Sequence, residues 1–232
     1  MSDTRTLALS KALIEQPSVT PEDAECQQMM EDILAPLGFN CETMQFAEVK
    51  NLWARKGTEK PLVCFAGHTD VVPTGDAESW SEEPFSGAVR DGVMYGRGAV
   101  DMKGGIACFL AAVEAHLAAG GKVPGSISFL ITGDEEGPAV NGTVKLLEWA
   151  EAQGHRFDAC IVGEPTNPSA LGDAIKVGRR GSLSGIVGVA GVQGHAAYPE
   201  HANNPIPGLM QLMSALDAVI LDEGNDRFQP SN

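Results

Sequence analysis

The chain is short of positive charge: 16 Lys and Arg stand against 31 Asp and Glu, a formal net charge of −15 over 232 residues. Binding to phosphate backbones needs the opposite excess, so no nucleic-acid partner is expected. A bilayer-spanning run is also missing. The longest apolar stretch, residues 106–119, is interrupted by Glu114 and His116, so no membrane partner is expected either. No apolar signal core follows Met-Ser-Asp-Thr-Arg at the start, which argues against a secretory leader. There is no Cys-x-x-Cys pair. The five cysteines, Cys26, Cys41, Cys64, Cys108 and Cys160, are scattered and odd in number. They read as free thiols in a reducing compartment, the cytoplasm. No internal repeat, low-complexity tract or phosphate loop is visible, and Asp101 stands where a dinucleotide fingerprint would need its last glycine.

What is present fits one large domain, or one domain plus a piece of another. Residues 4–16 have helical composition and stop at Pro17. Thr20, Pro21, Glu22 and Asp23 then predict a helix start: an N-cap, a proline at the first helical position and an acidic residue three after the cap. Strands are predicted at 39–46, 51–56 and 61–67. A Gly- and Pro-rich excursion over 73–98 follows, with short strands near 86–90 and 92–95. Helix 103–119, strand 126–132, helix 140–153 and strand 159–163 then alternate as β-α-β units do, predicting an α/β fold with a mostly parallel sheet flanked by helices. After Gly178-Arg-Arg-Gly181 the character changes. Leu183, Gly185, Val187 and Val189 alternate as a strand would, and a turn at 199–207 leads to a helix over 208–221. The domains expected are 1–180 and 181–232.

Six side chains fall just after strand-like or Gly-rich segments: His68, Asp70, Asp101, Glu135, Glu136 and Glu164. In an open α/β sheet, chemistry gathers outside the carboxyl ends of the strands. Asp70 is placed either to orient His68 through a hydrogen bond or to ligate a metal directly. Asp101 could instead be the N-cap of the following helix, Glu135 and Glu136 a solvated acidic turn, and Glu164 likewise a plain turn residue before Pro165. Four consecutive elements each ending in a carboxylate or histidine favour a shared cation. A histidine with several carboxylates suits a two-zinc hydrolytic site for an amide or peptide bond.

Four motifs resemble the two-zinc metallopeptidase family: Gly67-His-Thr-Asp-Val-Val-Pro73, Gly96-Arg-Gly-Ala-Val-Asp-Met-Lys-Gly-Gly105, Thr132-Gly-Asp-Glu-Glu-Gly137 and Val162-Gly-Glu-Pro165. That family includes aminoacylases, acetylornithine deacetylase, glutamate-releasing carboxypeptidases and desuccinylases. Asp134-Glu-Glu-Gly-Pro-Ala-Val-Asn-Gly-Thr143, Gly172-Asp-Ala-Ile-Lys-Val-Gly-Arg-Arg-Gly-Ser182 and Gln193-Gly-His-Ala-Ala-Tyr-Pro199 are similar to its desuccinylase branch. The resemblance implies zinc-peptidase architecture with the first part of a smaller α+β lid and dimerisation domain. It implies two zinc ions per intact subunit, with cobalt as a substitute, a homodimer, and hydrolysis of the polycarboxylate N-succinyl-LL-2,6-diaminopimelate to succinate and LL-2,6-diaminopimelate for lysine and diaminopimelate biosynthesis.

Carried over by position, the resemblance makes Asp101 the bridge between the ions, His68 and Glu164 ligands of one, and Glu136 a ligand of the other. Glu135 becomes the general base and Asp70 the orienter of His68. The peptide bond after Asp101 is expected to be cis. Arg179 becomes a clamp for a substrate carboxylate. His195 becomes the residue that reaches a partner subunit's site, the alternative being a turn residue beside Gly194. The family's last zinc ligand, a histidine near the C-terminus of its longer members, has no counterpart at His116, His155 or His201. A chain with its C-terminal part missing, one zinc ligand short and inactive in this form, is therefore expected. Two other readings stay open: a deacylase with a different acyl group, such as acetylornithine deacetylase, and a non-catalytic metal-binding or dimerising fragment.

Overall fold

The structure is a computed structural model that describes residues 2–176, 178, 181 and 183–230. Its contacts divide the chain into two compact units, Met1–Asn167 and Pro168–Asn232. The first unit holds helices α1 (Ser2–Ile14), α2 (Cys26–Leu34), α3 (Gly104–Ala118) and α4 (Thr143–Ala152). Its strands are β1 (Asn40–Phe46), β2 (Val49–Lys56), β3 (Leu62–His68), β4 (Ala88–Arg90), β5 (Val93–Tyr95), β6 (Ser126–Thr132) and β7 (Ala159–Val162). Five of these form one sheet in the order β1-β2-β6-β3-β7, and β4 pairs with β5 in a separate ribbon.

The sheet is mixed rather than mostly parallel. β1 pairs antiparallel with β2, and β2 with β6, while β3 lies parallel to both β6 and β7. The connection decides this. Ala47 and Glu48 alone link β1 to β2, so the chain must turn straight back, whereas a parallel neighbour needs a long crossover such as the one through α3. The α/β class and the flanking helices are as expected.

Alternation along the strands builds two cores. Leu52, Ala54, Phe65, Phe129 and Ile131 face one side, where Leu9 and Leu13 of α1, Met30 and Leu34 of α2, and Ile106 and Leu110 of α3 cover them. Trp53, Leu62, Cys64 and Leu130 face the other, under Leu146 of α4. β6 is buried on both faces, which explains why its sequence reads as a continuous apolar run. Phe129 sits at the centre of the first core, with ring centroids 5.7 Å from Phe39, 5.9 Å from Phe65 and 5.2 Å from Phe109.

Two local expectations give way. Thr20 does not cap a helix: the Thr20–Pro21 bond is cis, the Thr20 hydroxyl has no hydrogen-bond partner, and α2 starts only at Cys26. The Asp23 carboxylate, which accepts from the Gln27 N–H at 3.2 Å, serves the helix start instead. In the second unit, residues 183–189 form no strand. A strand needs a neighbour to take its backbone hydrogen bonds, and no described residue pairs with this segment. That unit contains an antiparallel bridge between Val192 and Asn203 and the helix α5 (Pro205–Asp217), whose first turn is capped by the Asn204 side chain accepting from Ile206 N–H at 3.1 Å.

Phe129→Ala should cost about 3–5 kcal/mol of stability, because three neighbouring rings cannot collapse into the space left behind. Urea unfolding of the variant should show a lowered midpoint. An unchanged midpoint would show that the ring cluster is not the centre of the core.

Candidate metal centre

Parallel register brings the functional loops together. His68 lies opposite Thr132, and Ala66 opposite Val162, so β3, β6 and β7 end at the same edge of the sheet. The segments leaving those ends carry His68 and Asp70, Glu135 and Glu136, and Glu164. Asp101 arrives from the bend before α3, where its own peptide bond to Met102 is cis as expected. Asp101 does not cap that helix, since α3 has no side-chain cap. The acidic pair caps nothing either, because α4 begins at Thr143 without a side-chain cap.

Buried His68 is the hub. Its Nε2 lies 3.2 Å from Asp101 Oδ1, 3.4 Å from Glu164 Oε1 and 3.8 Å from Glu135 Oε2. Its Nδ1 is held 2.9 Å from the backbone carbonyl of Asp70, with the Asp70 carboxylate farther away at 3.5 Å. Asp70 thus orients the ring mainly through its main chain, which puts the neutral ring's proton on Nδ1 and frees Nε2 to face the carboxylates. The Asp70 carboxylate acts elsewhere, accepting from the backbone N–H groups of Glu135 and Glu136 at 3.0–3.2 Å.

Asp134 carries no distinguishing mark in the sequence, yet it shapes the acidic loop. Almost fully buried, it accepts from the N–H groups of Ala139, Val140 and Asn141 at 3.1, 2.9 and 2.9 Å. The three adjacent carboxylates therefore do not share one space: Asp134 folds the loop, and Glu135 and Glu136 face the cluster. Met102 and Lys103 are likewise absent from the residues expected at the site. The Met102 side chain lies beneath the strand ends, where a Cβ at Gly67 would meet its Cε at 2.6 Å and one at Gly163 at 2.9 Å. Glycine at both strand ends is what lets the bend bearing Asp101 seat itself. Fully buried Lys103 donates to the Gln16 carbonyl at 2.7 Å and ties that bend to the end of α1. Gly67 and Gly163, with the glycines around Asp101, are the signal in the sequence for this packing.

The electrostatics follow from crowding. Burial, together with Glu164, raises the Asp101 carboxyl, and burial with neighbouring carboxylates likewise raises Glu135 and Glu136. Burial works against charge on His68, yet Asp70 and Glu164 push it up to about 11. Burial also opposes the Asp70 charge, but His68 and the two backbone N–H groups hold that carboxyl low. Within this cluster two donor sets have their ligand atoms within 4.8 Å of one another: His68, Asp101 and Glu164, and His68, Glu135 and Glu136. Imidazole with carboxylates is the donor chemistry of zinc and similar divalent ions. The residues fit such an ion, which would relieve the repulsion that raises the carboxyl groups.

Two further residues, Arg179 and His195, are expected at the site from the sequence. Arg179 is outside the described residues. His195 belongs to the second unit, where its Nδ1 accepts from the Ala197 N–H at 3.0 Å, so the neutral ring carries its proton on Nε2.

These shifts set the pH response of the ion-free chain. His68 titrates higher folded than its unfolded value of about 6.5, so its charge stabilises fully below that pH and the contribution is lost as pH rises toward about 11. Asp70 works in the opposite sense: its contribution is present above about 3.9 and lost as pH falls through its depressed folded value. In chelator, the chain should lose stability between pH 7 and pH 10 more steeply than His68→Gln does, as read by urea midpoints. Equal slopes would remove the imidazolium as the charge holding the cluster.

Residues 64–229 match the profile of peptidase family M20/M25/M40. The chain is 58% identical over 238 aligned positions to succinyl-diaminopimelate desuccinylase of Methylorubrum populi, covering 100% of this chain and 62% of that protein. It is 57% identical to the protein of the same name from Rhodopseudomonas palustris, covering 99% and 61%. The chain thus spans about 62% of the length of the curated relatives it matches. Among solved structures, the M20 family metallo-carboxypeptidase Sso-CP2 from Sulfolobus solfataricus superposes with a TM-score of 0.70 over 97% of this chain and 51% of that one, at 19% identity. Human carnosine dipeptidase 1 gives 0.61 over 69% and 38%, at 26% identity. With the family profile matched along most of its length and the donor cluster at the sheet's carboxyl edge, the chain belongs to peptidase family M20/M25/M40.

Proposed function

We propose that this cluster is the metal centre of a zinc-dependent amidohydrolase, with cobalt able to replace zinc. Its substrate is N-succinyl-LL-2,6-diaminopimelate, cleaved to succinate and LL-2,6-diaminopimelate in lysine and diaminopimelate biosynthesis. The observation that carries the reading is the convergence of Asp101, Glu135, Glu136 and Glu164 on the single imidazole of His68. The 58% identity to proteins named succinyl-diaminopimelate desuccinylase supports the choice of acyl group. Since the chain spans about 62% of those relatives, the activity is proposed for the protein as a homodimer, with residues 1–180 as the catalytic domain and 181–232 contributing to a lid and dimerisation domain. The five free cysteines agree with a cytoplasmic protein.

His68 and Glu164 would hold one ion, Glu136 the other, and Asp101 both. When bound, the ions supply Lewis acidity toward the amide carbonyl and the attacking water. The chain's own residues do the rest. Glu135, its backbone fixed by the Asp70 carboxylate, takes the proton of the attacking water and passes it to the departing amine nitrogen. Its raised pKa brings it closer to the operating pH, where a proton shuttle works best. His195, with Nε2–H as donor, would reach into the partner subunit's site and stabilise the oxyanion that develops there on the carbonyl oxygen. Arg179 would pair with a substrate carboxylate in a bidentate fashion.

The purified full-length protein, supplied with zinc, should release succinate from the succinylated substrate faster than acetate from acetylornithine, and lose the activity with chelator. Glu135→Gln should lower turnover by about 10²–10⁴-fold, the usual range for a lost proton-transfer group, while zinc content stays unchanged. Wild-type turnover in that variant would remove Glu135 from the base role. Faster acetyl release would reassign the substrate.

A further inference from the structure

Cys64 of β3 and Cys160 of β7 face each other directly across a parallel strand pair. Both belong to strands that end in the metal cluster, four residues before His68 and Glu164 respectively. Register partners on adjacent strands stand about 4.8 Å apart, inside the range of about 4.4–6.8 Å between Cα atoms that a disulfide spans. Paired residues project from the same face, so the two thiols are neighbours. They differ in access: Cys64 is buried and Cys160 is exposed.

We propose that Cys64 and Cys160 form an oxidisable thiol pair that closes into a cross-strand disulfide by exchange with a low-molecular-weight disulfide. The Cys160 thiolate attacks one sulfur of the reagent, forming a mixed disulfide and releasing the first small thiolate. The Cys64 thiol then gives up its proton and attacks the Cys160 sulfur, releasing the second. Two protein thiols are oxidised, and one small disulfide is reduced to two thiols. The pairing provides the required order of events, an accessible attacker and a buried resolving thiol. The neighbouring Cys64 thiol also pushes Cys160 down to about 7, near the optimum for an attacking thiol at neutral pH. The product tethers the edge strand leading to Glu164 to the strand ending in His68, and its formation does not depend on the metal or the substrate assigned above.

The test is incubation of the 232-residue chain with glutathione disulfide, followed by alkylation and non-reducing peptide mapping. Two of the five thiols should disappear as one linked Cys64–Cys160 peptide pair without retained glutathione, and dithiothreitol should restore all five. Cys64→Ser should trap glutathione on Cys160, and Cys160→Ser should leave Cys64 reduced. The exposed position of Cys160 makes the second variant safe for folding even if the first is not. Retained glutathione on Cys160 of the unsubstituted chain, a link through Cys108 instead, or no reaction would each overturn the proposal.

Discussion

Four carboxylates aimed at one buried imidazole are a repulsive arrangement, and much of the surrounding structure serves to hold it. Water cannot screen the group fully, because His68 is closed in and Glu164 is only 11% exposed. In the ion-free chain the counter-charge is the His68 imidazolium, and three of the carboxyl groups are driven toward protonation. A divalent ion resolves the same conflict with twice the charge and with directional bonds. The strain in the electrostatics is thus the counterpart of an affinity for metal.

Holding the donors in place falls to groups that touch no ligand. Asp70 divides its work, its carbonyl setting the imidazole and its carboxylate fixing the backbone of the acidic pair. Asp134 gathers three N–H groups to curl the loop beyond that pair. From below, Met102 fills the space left by the absent side chains of Gly67 and Gly163, and Lys103 anchors the bend to α1. Each is buried, so the acidic surface rests on a packed floor and not on mobile loops.

The site is largely legible in the sequence because a strand end followed by a carboxylate is a local pattern. All six residues marked in that way meet at one edge. What local pattern does not convey is the division of labour among them. Asp134 reads like Glu135 and Glu136, and only its burial sets it apart. That Asp70 orients His68 mostly by its backbone is invisible in a side-chain motif. The mixed sheet escapes the sequence because strand direction depends on connection length, and the hairpin at Ala47 and Glu48 carries no Asn-Gly or Asp-Gly signal. Thr20 misleads because the cap motif is present, yet the helix starts at Cys26 and the Asp23 carboxylate serves its first turn. The strand expected over 183–189 alternates as a strand should, but pairing depends on a neighbour, which no local pattern supplies.

The carboxylates converge on His68 because a divalent cation belongs there. Anomalous diffraction at the zinc edge, from crystals of the chain grown with zinc, would locate that ion. A peak should lie about 2.0–2.2 Å from His68 Nε2 and from oxygens of Asp101 and Glu164, the usual zinc–nitrogen and zinc–oxygen range. Full zinc loading in solution with no peak at this cluster, or a peak only at cysteine thiols, would contradict it.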